Sequence, residues 1–235
     1  MLYNRQKEDL YQLKSNPQLL NNNFLKPESA KAQRPTITAV FVKKWVDYSS
    51  KYGLGYLLSD GSCGIYFNDA TKMVVDEGGA KVDYVGEEAG LKSFRATAVP
   101  EDKEITKKFT LMQYFRKYLQ GGNESKEKKE GPPFVYVKKW AKSDQAILFR
   151  LNNKVVQVNF NDKSQVVFYP EKQLMLYSSS GKDKVVMELG APDTKRFPEL
   201  GQRLEHVKGL LRGLSGGSPR EGLRPEGLRV EMLHS

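Results

Sequence analysis

The chain holds one cysteine, Cys63, and two histidines, His206 and His234, in 235 residues. One cysteine excludes an intramolecular disulfide, and one Cys with two His cannot supply a zinc cluster. That usage fits a reducing compartment. No stretch approaches 18 consecutive apolar residues, so no membrane-spanning helix is expected. The first residues, MLYNRQKEDLYQLK, are charged throughout and lack the apolar centre of a signal peptide, so none is expected there. Cys63 alternates inward with Ile65 and Phe67, which leaves no credible Cys-His or Ser-His-Asp set. Neither a catalytic residue, a metal nor a cofactor is expected.

What is present is a core and a charge. Hydrophobic residues make up 39% of the chain and aromatics 11%, enough to fold. Lys and Arg outnumber Asp and Glu by 38 to 28, a net charge of +10. This balance favours an anionic partner, whether phosphorylated protein, nucleic acid or an anionic surface.

The chain also repeats itself. FVKKW at 41–45 returns as YVKKW at 136–140, and Phe67-Asn68-Asp69 returns as Phe160-Asn161-Asp162. The tryptophans, Trp45 and Trp140, are 95 residues apart and the Phe-Asn-Asp triplets 93, so the second copy is two residues shorter between them. Period-two alternation predicts strands near 38–46, 54–58, 63–68, 71–75, 82–85 and 92–97, then 134–140, 145–151, 154–160, 165–169, 173–178 and 184–189. Each copy closes with helical periodicity, over 104–119 and 196–213. The expected class is α+β, with two units of six antiparallel strands and one helix. The predicted organisation is a short helix and connector over 1–36, a first unit over 37–119, a linker over 120–133, a second unit over 134–213 and a disordered tail over 214–235. Gly53-Leu54-Gly55 is a weak match to a phosphate loop, because no third glycine and no helix follow.

The stretch KWVDYSSKYGLGYLLSDGSCGIYFNDATKMV, 44–74, closely resembles the first polo box of polo-like serine/threonine kinases, and KFTLMQYFRKYL, 108–119, resembles its closing helix. VKKWAKSDQAILFRLNNKVVQVNFND is similar to the second polo box, and the N-terminal segment to the polo-cap. The resemblance covers roughly residues 6–213. It implies two tandem boxes packed face to face with pseudo-twofold symmetry. It also implies a groove between them that binds Ser-phosphoSer/Thr peptides, targeting and restraining a kinase domain in cis. Cytoplasm and nucleus, with centrosome or basal body, kinetochore and division midzone, are the implied locations. The chain itself has no His-Arg-Asp and no Asp-Phe-Gly, so the catalytic domain is expected to lie outside it. A membrane partner is not expected, nor, without an RRM or OB-like aromatic motif, is nucleic acid.

By resemblance, Trp45 packs on the Ser before the phosphoresidue, and the backbone of Trp45 and Asp47 meets the peptide. The family's phosphate-binding His and Lys positions fall on Lys163 and Gln165 in DKSQ, 162–165. A phosphothreonine brings three acceptor oxygens and about −1.5 to −2 charge, and so requires cationic donors. Lys142 and Asn159 match a basic and a polar position near the groove. Tyr48, Tyr52, Leu111, Tyr114, Phe115 and Tyr118 match an aromatic channel that takes apolar peptide side chains. Bottom-up, Tyr114 and Tyr118 at i and i+4 form a second strip on a helix whose other stripe, Ile105, Phe109, Met112, Phe115 and Leu119, faces the core. Trp140, Lys43, Lys44, Lys138, Lys139 and His206 are expected to be structural or solvated. A phosphate-independent scaffold is the alternative reading, because DKSQ departs from the family pair.

Overall fold

The computed structural model describes residues 39–86, 90–121, 134–180 and 184–216, all within one compact unit, Thr38–Ser235. The expected cap over 1–36, the linker from 122 to 133 and the tail beyond 216 lie outside the described residues. The first box is a meander of β1 (Val42–Tyr48), β2 (Gly53–Leu58), β3 (Cys63–Phe67), β4 (Lys72–Val75), β5 (Lys81–Val85) and β6 (Leu91–Arg95), closed by α1 (Lys103–Gln120). The second is β7 (Val137–Lys142), β8 (Ala146–Leu151), β9 (Val156–Phe160), β10 (Gln165–Tyr169), β11 (Leu174–Ser178) and β12 (Lys184–Glu188), closed by α2 (Pro198–Gly216). Each sheet is six-stranded and antiparallel in sequence order. The largest boundary differences are at the first strand of each unit, which starts at Val42 rather than near 38 and at Val137 rather than near 134, and at the last helix. The first strand begins at Val42 because Phe41 exchanges its backbone hydrogen bonds with Ser59 of a turn rather than with a ladder. The last helix continues to Gly216, into the segment expected to be disordered.

Local chemistry fixes the first helix. Asp102 caps its N-terminus, accepting from the amides of Glu104 at 2.8 Å and Ile105 at 3.1 Å. Gly121 ends it in the left-handed conformation, φ 66°. Its apolar stripe covers one face of the sheet, burying Ile105, Met112, Phe115 and Leu119 against Cys63, Ile65, Met73 and Val82. All six residues of β2 are buried, so that strand is covered on both faces. Gly55 explains the apparent phosphate-loop motif: a Cβ there would lie 2.2 Å from the Phe115 ring. The glycine is a seat for the helix, not a cradle for a ligand.

The opposite face of each sheet meets the other box. Trp45 stacks edge-on against Phe149 of the second box, ring centroids 5.5 Å apart. Both first strands, β1 and β7, carry a register shift at the same place, Val42/Lys44 and Val137/Lys139. The valine at each shift is held by the other box. Val42 donates its N–H to Gln157 Oε1 and accepts from Gln157 Nε2, both at 2.8 Å. Val137 donates its N–H to Tyr56 Oη at 3.2 Å. The two devices are equivalent in place but not in residue. Tyr56 lies across its strand partner Gly64, where a Cβ would meet the phenol oxygen at 2.4 Å. In the second box the corresponding pair is Phe149 and Gln157. One box presents a large polar ring over a glycine; the other presents an apolar ring beside a glutamine.

The Phe-Asn-Asp repeat has a structural role in both copies. Asn68 Nδ2 donates to the Ser49 carbonyl at 2.8 Å, and Asn161 Nδ2 to that of Asp144 at 2.6 Å. Asp69 and Asp162 each accept from the hydroxyl and amide two residues on, Thr71 and Ser164. Each aspartate also pairs with a cation from its own helix, Lys108 or Arg203. Those cations lie over Phe67 and Phe160, at 5.2 and 4.7 Å from the ring centres. The two residues missing from the second copy come out ahead of this device, where β1 and its loop (42–52) become β7 and its loop (137–145).

Replacing Gln157 by Ala leaves two buried backbone groups of Val42 without partners, and each such group costs about 1–3 kcal/mol. Urea unfolding of Q157A is expected to show a loss of about 2–4 kcal/mol; a change below about 0.5 kcal/mol contradicts the clamp. Burial pushes the Asp69 and Asp162 carboxyls up, but the hydroxyl, amide and cation contacts outweigh it and hold both below the ordinary carboxylate value. Their stabilisation is therefore present above the unfolded carboxylate pKa and lost as pH falls through the depressed folded values. Stability measured below pH about 4 should fall less steeply in Asp162→Asn than in wild type.

Candidate functional site

The candidate groove lies where β1 of the first box, held by Gln157, runs beside the end of β9 and the start of β10 in the second. Trp45 is 38% exposed there, one edge fixed by Phe149 and the rest free to be covered. Asp47, two residues along the same face, accepts from Lys142 Nζ at 3.0 Å. These two residues are equivalent positions, 95 apart like the tryptophans, and they join the boxes with opposite charges. Burial raises the Asp47 carboxyl, but hydrogen bonds from the Ser49 side chain and amide, then Lys142, outweigh it and hold Asp47 below the ordinary value.

A polar chain leads from β1 into the second box. Gln157, tied to the Val42 backbone, also donates to Asn159 Oδ1 at 3.3 Å, and Gln165 Nε2 donates to the same oxygen at 2.7 Å. The Nδ2 of Asn159 is shielded from solvent and has no hydrogen-bond partner. Such a donor is costly to leave unmade, and it marks a place where an acceptor completes the network. Lys163 stands at the tip of the β9–β10 turn, exposed, with φ 67°. Ala70, its counterpart in the first box, has φ 64°. The left-handed backbone thus belongs to the hairpin, whatever side chain sits there. Asp162 points away into its Arg203 pair, so the turn offers the lysine and not the carboxylate.

The expected aromatic strip is only partly assembled. Tyr52, Leu111 and Tyr114 line a cavity of about 520 Å³ between the β1–β2 loop and α1, with Lys51 and Lys107 beside them. Tyr48 stands edge-on over Phe115 at 5.7 Å, and Tyr118, 61% exposed, lies one turn along from Tyr114. Phe115, expected in both the core stripe and the aromatic strip, takes the core place. It is 7% exposed and packed in the box-one core against Gly55, because its position serves the helix's core stripe. His206 packs near Phe160 and hydrogen-bonds Ser143 Oγ at 2.9 Å, the structural role expected of it. Among the described residues no group of three or more His, Cys, Asp or Glu is placed to hold a metal ion, and no helix is long and apolar enough to cross a membrane.

Sequence reasoning missed Gln157 and Phe149. Gln157 falls in the phase opposite to Val156, Val158 and Phe160, at the position where the first copy has Gly64, and period-two alternation alone reads that phase as the solvated one.

A family model described as a POLO box duplicated region matches residues 50–109 and 143–204, more than half of the chain. The chain belongs to the polo-box family. It is 44% identical over 148 residues to a probable serine/threonine-protein kinase, CCRP1, of Zea mays, covering 59% of this chain and 23% of that protein. It is 34% identical over 194 residues to the serine/threonine-protein kinase plk-2 of Caenorhabditis elegans, covering 77% and 30%. The chain spans well under half the length of these relatives. The polo-box domain of budding yeast Cdc5 superposes with a TM-score of 0.58 at 21% identity, covering 87% of this chain and 86% of that one. The same domain in complex with an Spc72 phosphopeptide gives 0.55 at 23% identity, covering 71% and 68%.

The side chain of Lys142 is 51% exposed, which limits its pair with Asp47 to less than about 1 kcal/mol of net stability. A double-mutant cycle of Asp47→Asn and Lys142→Gln should return a coupling energy under that bound and decreasing with salt. A coupling of about 3 kcal/mol or more contradicts this.

Proposed function

We propose that this chain is a phosphopeptide-binding targeting module. It recognises a Ser-phosphoSer/Thr segment in the groove between the boxes and performs no catalysis of its own. The observation that carries the proposal is the polar chain from Val42 through Gln157 to Asn159 and Gln165, which ends in an unpartnered buried donor on the strand that leads into the Lys163 turn. A peptide crossing the groove has Trp45 and the β1 backbone on one side. Its phosphoryl oxygens meet Lys163, Gln165 and the Asn159 amide on the other. Lys142 adds positive charge once Asp47 turns to the peptide. The exposed Tyr52, Tyr114 and Tyr118 give apolar flanking side chains a surface to cover. The yeast domain solved with a phosphopeptide supports the same use of the fold. The kinase relatives support a catalytic domain elsewhere in the protein, in cis, that this module would direct to primed substrates at centrosome, kinetochore and division midzone and restrain when unliganded.

A second reading, a phosphate-independent scaffold, is favoured by one feature. Gln165 is neutral and one N–H of its amide is already engaged by Asn159. A titration separates the two readings. The variant Lys163→Ala keeps the turn, because Ala70 holds the same backbone in the first box. A Ser-phosphoThr peptide should bind wild type more tightly than its unphosphorylated twin, and K163A should remove most of that difference. Equal affinity for the two peptides moves the chain to the scaffold reading. Lys72 occupies the Gln165 position in the first box, so Gln165→Lys also has a structural precedent. It replaces a neutral hydrogen bond of about 1 kcal/mol by a charge-assisted one of about 1.5–3. Affinity for the phosphopeptide should rise about tenfold, with no change for the unphosphorylated twin.

A further inference from the structure

The pseudo-twofold relation gives the interface a second mouth. Exchange the boxes, and the place of Trp45, Asn159, Gln165 and Lys43 is taken by Trp140, Tyr66, Lys72 and Lys138. The register supports the exchange: Lys72 faces Tyr66 across β3 and β4 as Gln165 faces Asn159 across β9 and β10. Strand β3 lies against β7, as β9 lies against β1 through Gln157 and Val42.

The chemistry at this mouth is more basic than at the first. The position held by neutral Gln165 is here a lysine. Lys72 Nζ lies over the Tyr66 ring, 5.1 Å from its centre, half-buried between the boxes. Lys138 is exposed on β7, and its charge reaches Lys72. Among the described residues neither lysine has a carboxylate within ion-pair distance. The nearby carboxylate of Asp69 is engaged by Lys108. Burial and then Lys138 both press the Lys72 ammonium toward losing its proton, with Asp69 opposing them. Two like charges brought together at a desolvating edge are relieved by a bound anion.

We infer that the mouth between β3–β4 of the first box and β7 of the second is a second binding site for the phosphoryl group of a phosphorylated peptide, with Lys72 and Lys138 as its cationic donors. Two cations beside one phenol match a single dianionic group, not an extended polyanion. The chain would then engage two phosphorylated residues at once, through opposite edges of one interface.

The test uses the full chain and a singly phosphorylated Ser-phosphoThr peptide, followed by calorimetry and by NMR of the lysine ε-carbons. Two phosphate-dependent sites are expected. Lys72→Gln, a residue the second box already carries at that position, should weaken one of them about tenfold and leave the other unchanged. Lys138→Gln, on an exposed side chain that leaves the fold intact, should affect the same site. Lys163→Ala should affect only the other one. One site that responds to K163A and not to K72Q or K138Q overturns the inference while leaving the groove reading standing. One site lost in K72Q and untouched by K163A supports the inference and overturns the groove reading. Shifts at Lys72 and Lys138 with a single-stranded oligonucleotide but not with the phosphopeptide also overturn it, because the ligand is then a polyanion.

Discussion

Each box carries an irregularity in its first strand that its own sheet leaves incomplete, and the other box completes it. Val42 and Val137 sit at equivalent register shifts, with backbone groups turned toward the partner sheet. A buried amide without an acceptor costs as much as several ordinary contacts contribute, so these groups set the distance and orientation of the two sheets. Gln157 answers one valine and Tyr56 the other. The groove follows from this clamp. Trp45 reaches Phe149 because β1 is held across β8, and Asn159 stands beside β1 because Gln157, two residues away on the same face, grips Val42.

The helices stand apart from this arrangement. Each packs on the outer face of its own sheet, with its own cluster of buried side chains. A helix cation is anchored to the turn aspartate and lies on the turn phenylalanine in both boxes. The interface can therefore differ between the copies while the two folds stay alike. The tight repeat lies where the helix and hairpin meet; the divergence lies where the boxes meet.

Much of this was legible in the sequence, for reasons of range. Alternation over five residues sets a strand, and helical spacing over fifteen sets α1; both patterns are local. The Phe-Asn-Asp triplet marked the register because its partners sit at fixed offsets in both copies. The resemblance to polo boxes placed Trp45, Asp47, Lys142, Asn159, Lys163 and Gln165, and the structure shows three contacts around them: Asp47 with Lys142, Asn159 with Gln165, and Trp45 with Phe149. What escaped was non-local. Nothing near Gln157 announces that its partner is the backbone of a residue 115 positions earlier. Phe115 was ambiguous because one helix position adjoins both the core stripe and the tyrosine strip; the absence of a side chain at Gly55 decides it.

The ion pair between Asp47 and Lys142 has a consequence for recognition between copies. Because the two residues are one position in two repeats, a first box meeting another first box in the same way would set aspartate against aspartate. Two second boxes would set lysine against lysine. Only the unlike pairing brings opposite signs together. A contact too exposed to add much stability thus works as a test of self against mate, biasing each box toward its own tandem neighbour over a stray copy of itself.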